Sequence, residues 1–438
     1  MTAILTRWPQ SPRVQWNETR TGGLLPGVGR FVLAEGVSPE LSGENVDAQH
    51  PCDGCSKQAS HRRKGPRVTF VTPTLGLGGA EQFARMLVTN SREIAWSVLV
   101  VNPHNWHPHC VGPISQAAEV FTVGRPGPED PPGIHWCCSL SCAARSAFRD
   151  AELVCHWGGG FDGPFPQTPL VFISQGQCEW TRRAFRKAVS NGTTHLVGCS
   201  QSALGVLDDL HPPEFPARVI WNGVDERRVC VEKDPRTVRR EVWRLPEHWF
   251  DYTWKYAGYC GRLSDEKNVQ SVIEAVAQLP NYYRAVLIGG TGTARDEVLR
   301  LAKHRLGDRC TLVEAVDDIG NHLNALDCLV QVSPREGNSL TICEAMHVGV
   351  PIVTTRTGAI DEFEESAGGQ LYWSVPPDPT AQETAVQIRA AVTSGRSDRR
   401  VRRAREFARR NLTAERIGRE WSEYLLSLIK EHKNAKTG

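Results

Sequence analysis

The sequence of 438 residues is long enough for two to four domains, each with its own core. Its 51 basic and 49 acidic residues leave a formal charge of +2, so no overall field selects a nucleic acid partner. No apolar run reaches the roughly 18 residues of a membrane-spanning helix, and the first 30 residues lack a hydrophobic signal core.

The 14 cysteines are scattered, mostly in apolar, strand-like segments. This favours free thiols in the reducing cytosol, and hence a cytoplasmic protein. Cys52 and Cys55, with His61 nearby, have partial zinc-site spacing but lack a second close pair of ligands. We therefore expect no metal ion and no other cofactor.

Residues 1–65 mix Pro, Gly, Ser and charges without a sustained period, which predicts a poorly ordered extension. From residue 66 onward, short apolar segments alternate with amphipathic ones. We predict a glycine turn at 76–81 followed by a helix at 82–89, and strands at 68–71, 96–101, 152–155, 170–173, 196–198 and 219–221. Such alternation is typical of a parallel sheet covered by helices.

A charged stretch begins near residue 225, and we place the interdomain connection at about 226–236. A second series follows, with helices predicted at 269–278 and 296–304 and strands at 255–259, 285–288, 311–313, 325–332 and 352–354. A helical pattern covers residues 402–430. The fold class is therefore α/β, with two Rossmann-like domains at 66–230 and 231–405 and a final segment at 406–438. Ligands of such sheets bind at the carboxyl ends of the strands.

The most informative segment is residues 333–351, SPREGNSLTICEAMHVGVP. It follows an apolar strand and predicts a tight turn, then a short helix that ends at Gly349. Asn338 or Ser339 can cap this helix, so that free backbone N–H groups point at the turn. Such a helix end binds phosphate, and the N–H groups of Asn338, Ser339 and Leu340 are candidates to hold the ligand.

Glu336 stands in that turn and Glu344 stands eight residues later in the helix. At 1.5 Å per residue they lie on the order of 12 Å apart, too far to share one glycosidic bond, for which about 5 to 9.5 Å is usual. The spacing suits a long ligand with a sugar at one end, a diphosphate in the middle and a ribose at the other. It favours an enzyme that uses a nucleotide sugar.

Gly78 and Gly79 lie in the turn after the first predicted strand, where glycine lets a backbone approach a ligand closely. A dinucleotide enzyme would carry an acidic residue at the end of the next strand to bind the ribose. Here that position holds Val101 and Asn102. The sequence thus argues against NAD and for a loop that closes on a diphosphate.

Five segments in this order resemble retaining glycosyltransferases of the GT-B fold, in particular family 4. They are VTFVTPTLGLGGAE at 68–81, WNGVD at 221–225, GRLSDEKN at 261–268, VLIGGTG at 286–292 and the Glu336 to Glu344 segment. The resemblance covers roughly residues 66–430. It implies an N-terminal acceptor-binding domain, a C-terminal donor-binding domain and a last helix that crosses back onto the first domain.

For the chemistry, the resemblance implies transfer of a sugar from a UDP- or GDP-sugar to a glycan, glycolipid or other hydroxyl acceptor, with retention and without a metal. Arg262 and Lys267 would stabilise the departing diphosphate. Glu336 would lie over the donor sugar, and Glu344 would accept hydrogen bonds from the ribose.

On the acceptor side, His156 ends a predicted strand where the family often has an active-site histidine, and a buried or merely cleft-lining histidine is the alternative. The family often has another histidine where this chain has Gln175, which cannot act as a base. Residues 179–188 predict a basic helix with Trp180 and Phe185. It is either a peripheral membrane contact or, as we favour, an ordinary surface helix.

Two alternatives remain for the whole chain. A nucleotide-sugar epimerase of the same fold would lack the Arg262, Lys267 and paired glutamate pattern. A catalytically degenerate GT-B scaffold or nucleotide-sugar sensor would bind a nucleotide without turning over its sugar.

Overall fold

The computed structural model describes residues 65–437 except 77, 129, 159–160, 211–214 and 247–252. The expected extension at 1–65, apart from its last residue, and the Cys52, Cys55 and His61 group lie outside the described residues. Within the described residues the chain forms two parallel β-sheets, each covered by helices.

The first sheet contains eight described strands in the order β4-β3-β2-β1-β5-β6-β7-β8. Val68 and Phe70 of β1 point into one apolar core, and Val71 points into another. This alternation follows from the period of two along a strand and places a core on each face of the sheet. The strands are β1 Arg67–Thr72, β2 Ala95–Val100, β3 Glu119–Val123, β4 Ile134–Cys137, β5 Leu153–His156, β6 Leu170–Ser174, β7 His195–Gly198 and β8 Ala217–Val219.

The second sheet has six described strands in the order β11-β10-β9-β12-β13-β14. Tyr256 of β9 belongs to the core on one face, whereas Ala257 and Tyr259 belong to the core on the other. The strands are β9 Lys255–Cys260, β10 Tyr283–Gly289, β11 Cys310–Glu314, β12 Cys328–Gln331, β13 Ile352–Thr355 and β14 Trp373–Val375.

Helices connect most consecutive strands, as parallel neighbours need a crossover, and described residues without a helix connect β3 to β4 and β5 to β6. In chain order the helices are α1 Gly79–Asn90, α2 Pro108–Ala117, α3 Leu140–Ala147, α4 Glu179–Ser190, α5 Gln201–Gly205, α6 Pro235–Thr237, α7 Val269–Ala277, α8 Arg295–Leu306, α9 Ile319–Asn324, α10 Leu340–Val348, α11 Ile360–Ser366, α12 Ala381–Ser394, α13 Arg399–Asn411 and α14 Ala414–Thr437. A 3-10 turn, Glu226–Val229, forms part of the connection between the two sheets.

The strand order reverses direction at one place in each sheet. In the first sheet the chain starts at β1 and places β2 on one side and β5 on the other. In the second sheet β9 has β10 on one side and β12 on the other. The crevice beyond the carboxyl ends at such a reversal is where ligands of open parallel sheets bind.

The predicted helix at 402–430 is in fact two helices, α13 and α14. The break is produced by Val224 from the interdomain connection, whose backbone N–H donates to Leu412 O at 2.9 Å and whose O accepts from Ala414 N at 2.9 Å. Beyond the break, α14 packs on the first domain. Its buried Trp421 lies 5.7 Å, centroid to centroid, from Phe83 of α1.

The predictions from sequence missed β3, β4 and β14, and they placed the start of α1 three residues too late. Strand β4 is only partly buried and carries His135 and Trp136, so it lacks the apolar run by which the other strands were recognised. Glu81, which we assigned to the glycine turn, lies in the first turn of α1. None of the described helices is long and apolar enough to cross a membrane.

Candidate active site

A cavity of about 180 Å³ lies where the two strand-order reversals face each other. Its walls come from the turn after β1, the turn after β9, the end of β10 and the start of α10. Seven of the residues predicted from the sequence line it: Gly78, Gly79, Arg262, Lys267, Ser339, Leu340 and Glu344. Positions up to 266 residues apart in the sequence thus meet in one cavity.

Two helix N-termini, one from each domain, border this cavity. Helix α1 begins at Gly79, with Gly78 as its N-cap and no side-chain cap. Helix α10 begins at Leu340, with Ser339 as its N-cap, and the Ser339 hydroxyl accepts a hydrogen bond from Ile342 N. The first N–H groups of a helix have no partner within the helix, and the helix dipole makes this end positive. The cavity therefore favours an anion.

Lys267 and Glu336 form an ion pair at the cavity. The Lys267 ammonium donates to Oε1 and Oε2 of Glu336 at 2.8 and 2.9 Å, and both side chains are largely shielded from solvent. Asn268 takes a left-handed backbone conformation, φ 50°, between a 3-10 turn and α7, a conformation that asparagine tolerates well. This turn directs Lys267 toward Glu336.

Arg262 is more exposed and donates to Glu266 at 3.2 Å. Across the cavity it faces Glu81, whose carboxyl lies at the start of α1 and accepts backbone hydrogen bonds there. Burial raises the pKa of Glu81, and both those hydrogen bonds and the positive charge of Arg262 oppose the rise. The positive charge of Arg262, in the second domain, therefore acts on a carboxyl group of the first domain.

Glu344 is buried in α10 and contacts Arg228, which the sequence reading missed. The Arg228 Nε lies 3.4 Å from Glu344 Oε1. Burial raises the pKa of Glu344, and the neighbouring guanidinium opposes that rise. The two residues form a buried ion pair that lines the cavity.

Asn338 lies at the contact between the two domains and does not line the cavity. Its side chain donates to Cys199 O at 3.3 Å, and its own carbonyl accepts from the Asn222 side chain at 3.3 Å. These groups of Asn338 thus form a contact between the domains, and the role of its backbone N–H in holding a ligand stays a prediction. The preceding Gly337 lies so close to Gln175 that a Cβ there would be 2.5 Å from Gln175 O.

His156 does not line the cavity either. It is 4% exposed, its ring packs against Phe165 and Phe172, and its Nε2 lies 3.0 Å from the Thr193 hydroxyl. Burial lowers the pKa of His156 to about 4, so the ring is neutral at physiological pH. The alternative of a buried histidine is the one that the structure supports, because this strand end is closed off by aromatic side chains.

Gln175 follows β6 and accepts a hydrogen bond from Asn222 at 3.0 Å. Its Nε2 is buried and has no partner among the described residues. Its backbone oxygen lies against Gly337 of the second domain, so Gln175 takes part in the contact between the domains, next to Glu336.

The residues that the sequence missed share one property, which is that their partners are distant in the chain. Arg228 and Glu344 are 116 positions apart, and the His109 ring pairs with Asp317 of the other domain. One signal was present, since Arg228 stands three residues after the recognised WNGVD segment. Nothing local distinguishes Arg228 from Arg227, which is exposed and pairs with Asp225.

Part of the chain is similar in sequence to known proteins. Residues 255–393 match the family model for glycosyl transferases group 1. The chain is 24% identical over 243 residues to N-acetyl-alpha-D-glucosaminyl L-malate synthase of Bacillus anthracis, which covers 55% of this chain and 61% of that protein. It is 30% identical over 158 residues to the lipopolysaccharide core biosynthesis mannosyltransferase LpsB of Rhizobium meliloti, covering 34% and 43%. Both relatives are thus matched over less than two thirds of their own length.

The fold is also that of solved structures. Anabaena Alr3699/HepE in complex with UDP and glucose aligns with a TM-score of 0.66 at 19% identity, over 84% of this chain and 100% of that one. WaaG, a glycosyltransferase involved in lipopolysaccharide biosynthesis, aligns with a TM-score of 0.60 at 17% identity, over 82% and 99%. The chain therefore has the GT-B fold, and its residues 255–393 match the glycosyl transferases group 1 family.

Proposed function

We propose that this protein transfers a sugar from a UDP- or GDP-sugar to a hydroxyl group of a glycan or glycolipid. The observation that carries the proposal is the combination found in one cavity. Two helix N-termini and two cations, Arg262 and Lys267, offer a site for a diphosphate, and the buried Glu344 offers a carboxylate for the ribose.

In the proposed reaction the bond between the sugar C1 and the β-phosphate oxygen breaks, and its electron pair leaves with the diphosphate. The acceptor hydroxyl forms the new bond to C1, and its proton passes to the departing diphosphate. Arg262 and Lys267 stabilise the growing negative charge, which typically contributes about 2.7–4 kcal/mol per group. Because these cations are part of the protein, we propose that no metal is required.

Glu336 holds Lys267 through both carboxylate oxygens and lies beside the same cavity. In this role it would orient the lysine toward the phosphate and present negative charge to the electron-poor C1 of the sugar. We propose retention of the anomeric configuration, with the family 4 resemblance as its support.

The relatives support the nucleotide and the acceptor class. The HepE structures contain UDP, UDP-glucose or UDP with glucose. Named relatives include a GDP-mannose-dependent mannosyltransferase from Mycobacterium tuberculosis and an O-antigen biosynthesis glycosyltransferase from Escherichia coli. These names favour a cell-surface glycan or a lipid-linked acceptor.

A peripheral membrane contact through α4 would depend on Trp180 more than on charge. Trp180 is 51% exposed, whereas Phe185 is fully buried. The cations of this helix have carboxylate partners, with Arg182 bound to Asp209 at 2.6 Å and Lys187 bound to Asp162 at 2.5 Å. Sedimentation with anionic vesicles tests the contact, and equal binding by wild type and Trp180→Ala would argue against it.

The first experiment is a thermal-shift panel of UDP, GDP, ADP, dTDP and NAD, with and without a chelator. We expect a selective rise with UDP or GDP that the chelator does not remove. Turnover of the matching nucleotide sugars then separates an enzyme from a sensor, and NMR of the product identifies the anomer. Binding without release of nucleotide from any nucleotide sugar would favour the degenerate scaffold, and no shift at all would refute the donor site.

A further inference from the structure

Arg228 connects two carboxylates of the second domain at the edge of the cavity. It lies in the Glu226–Val229 turn of the interdomain connection. Its Nε is 3.4 Å from Glu344, and its Nη1 is 3.5 Å from Asp317. The side chains of Arg228 and Glu344 are 15% and 10% exposed, so their contact is largely shielded from water, whereas Asp317 is 38% exposed.

The surroundings of Glu344 make its ionised form depend on this arginine. Burial raises the pKa of Glu344 and raises the pKa of the nearby Cys260 thiol to about 12. Burial also raises the pKa of the Cys343 thiol, which is likewise close to Glu344. Both thiols are therefore neutral, and Arg228 is the cation that faces Glu344 among the described residues. A buried carboxylate without a partner would become protonated at higher pH and lose its capacity as an acceptor.

Two residues of the first domain contact carboxylates close to Arg228. His109 of α2 pairs with Asp317, the second carboxylate partner of Arg228. Arg85 of α1 lies 3.5 Å from Asp225, three residues before Arg228. Burial lowers the pKa of Arg85, and repulsion by Arg228 adds to this. The position of Arg228 is thus set by both domains.

We propose that Arg228 is a positioning residue for the nucleoside diphosphate, which keeps Glu344 ionised and oriented for the ribose hydroxyls. Asp317 and His109 hold Arg228 in place when the first domain contacts the second, so nucleotide affinity is coupled to domain contact. This inference rests on the proposed function, since it assigns Glu344 to the nucleotide.

The test measures UDP and GDP binding by titration calorimetry between about pH 5 and 8, with Arg228→Gln, Arg228→Lys and the control Arg227→Gln. Arg227 is adjacent but exposed, and it contacts Asp225 instead of Glu344. We expect Arg228→Gln to weaken binding about 10- to 100-fold, as for a lost hydrogen bond between charged groups. We also expect the acidic fall in affinity to move to higher pH.

Arg228→Lys should restore most of the pH profile, because it returns the charge, and Arg227→Gln should behave like wild type. In transfer assays, the donor KM of Arg228→Gln should rise by a larger factor than kcat falls. A loss of affinity with an unchanged pH profile and no rescue by lysine would show a structural role and overturn the proposal. Normal nucleotide binding by Arg228→Gln, with transfer intact, would also overturn it and leave the proposed function standing. Failure of the wild-type protein to bind any nucleotide would refute the proposed function itself.

The coupling to the first domain is tested by His109→Gln. We expect a smaller loss of nucleotide affinity than in Arg228→Gln, and a double variant no weaker than Arg228→Gln alone, because both changes act through one contact. Additive losses would overturn the coupling between domain contact and Arg228.

Discussion

The ion pair between Lys267 and Glu336 permits a test that separates stability from catalysis. Lys267→Ala removes a cation from the proposed site of the departing diphosphate and leaves Glu336, 11% exposed, without its two hydrogen bonds. A group of this kind typically stabilises the transition state by about 2.7–4 kcal/mol, so its loss should reduce kcat about 100- to 1000-fold. The lost hydrogen bonds to a charged group should lower the free energy of unfolding by about 1.5–3 kcal/mol.

The assay pairs denaturant unfolding with release of nucleotide at saturating donor. Lys267→Ala/Glu336→Gln should recover stability relative to Lys267→Ala, because a neutral amide replaces an unpaired carboxylate, whereas its activity should not recover. Lys303→Ala, on the exposed face of α8, serves as the control and should change neither quantity. A kcat of Lys267→Ala within a few-fold of wild type would refute the role of this lysine, and unchanged stability would refute the ion pair.

Three further variants test the site and its surroundings. Glu344→Gln should weaken nucleotide binding by about 1–3 kcal/mol, and it should abolish the acidic fall in affinity, which the raised pKa of Glu344 moves to higher pH than for an ordinary glutamate. His156 has a pKa of about 4 in the folded protein, below its ordinary value, so the unfolded chain binds the extra proton first. The contribution of neutral His156 to the free energy of unfolding should therefore be fully present above about pH 6.5 and fall by roughly 3 kcal/mol as the pH drops to 4. His156→Phe should flatten this pH dependence without changing kcat. A large loss of kcat would instead support a catalytic role for the histidine. Gly337→Ala should lower both stability and kcat, because its Cβ would lie 2.5 Å from Gln175 O. Wild-type behaviour of this variant would mean that Gly337 and Gln175 do not come into contact in the working enzyme.

The amino-acid sequence alone was sufficient to predict the two parallel sheets and seven of the residues that line the cavity. These features are local, because a strand, its glycine turn and the following helix occupy about 20 consecutive residues, as in residues 326–349. Lys267 and Ser339 could be located in the cavity because the carboxyl ends of parallel strands lie on one edge of a sheet.

Tertiary structure alone decided which of these groups contact one another. Arg228 was missed, and His156 was assigned to the site, because burial and pairing depend on residues more than a hundred positions away or on aromatic side chains from other loops. Asn338 could cap a helix or bind a ligand on local grounds, and only the tertiary structure shows that it contacts Cys199 and Asn222 of the other domain. The sequence by itself determined the chemistry that each segment can offer; the packing of two domains decided which groups face the cavity, because contact between distant segments has no local signature.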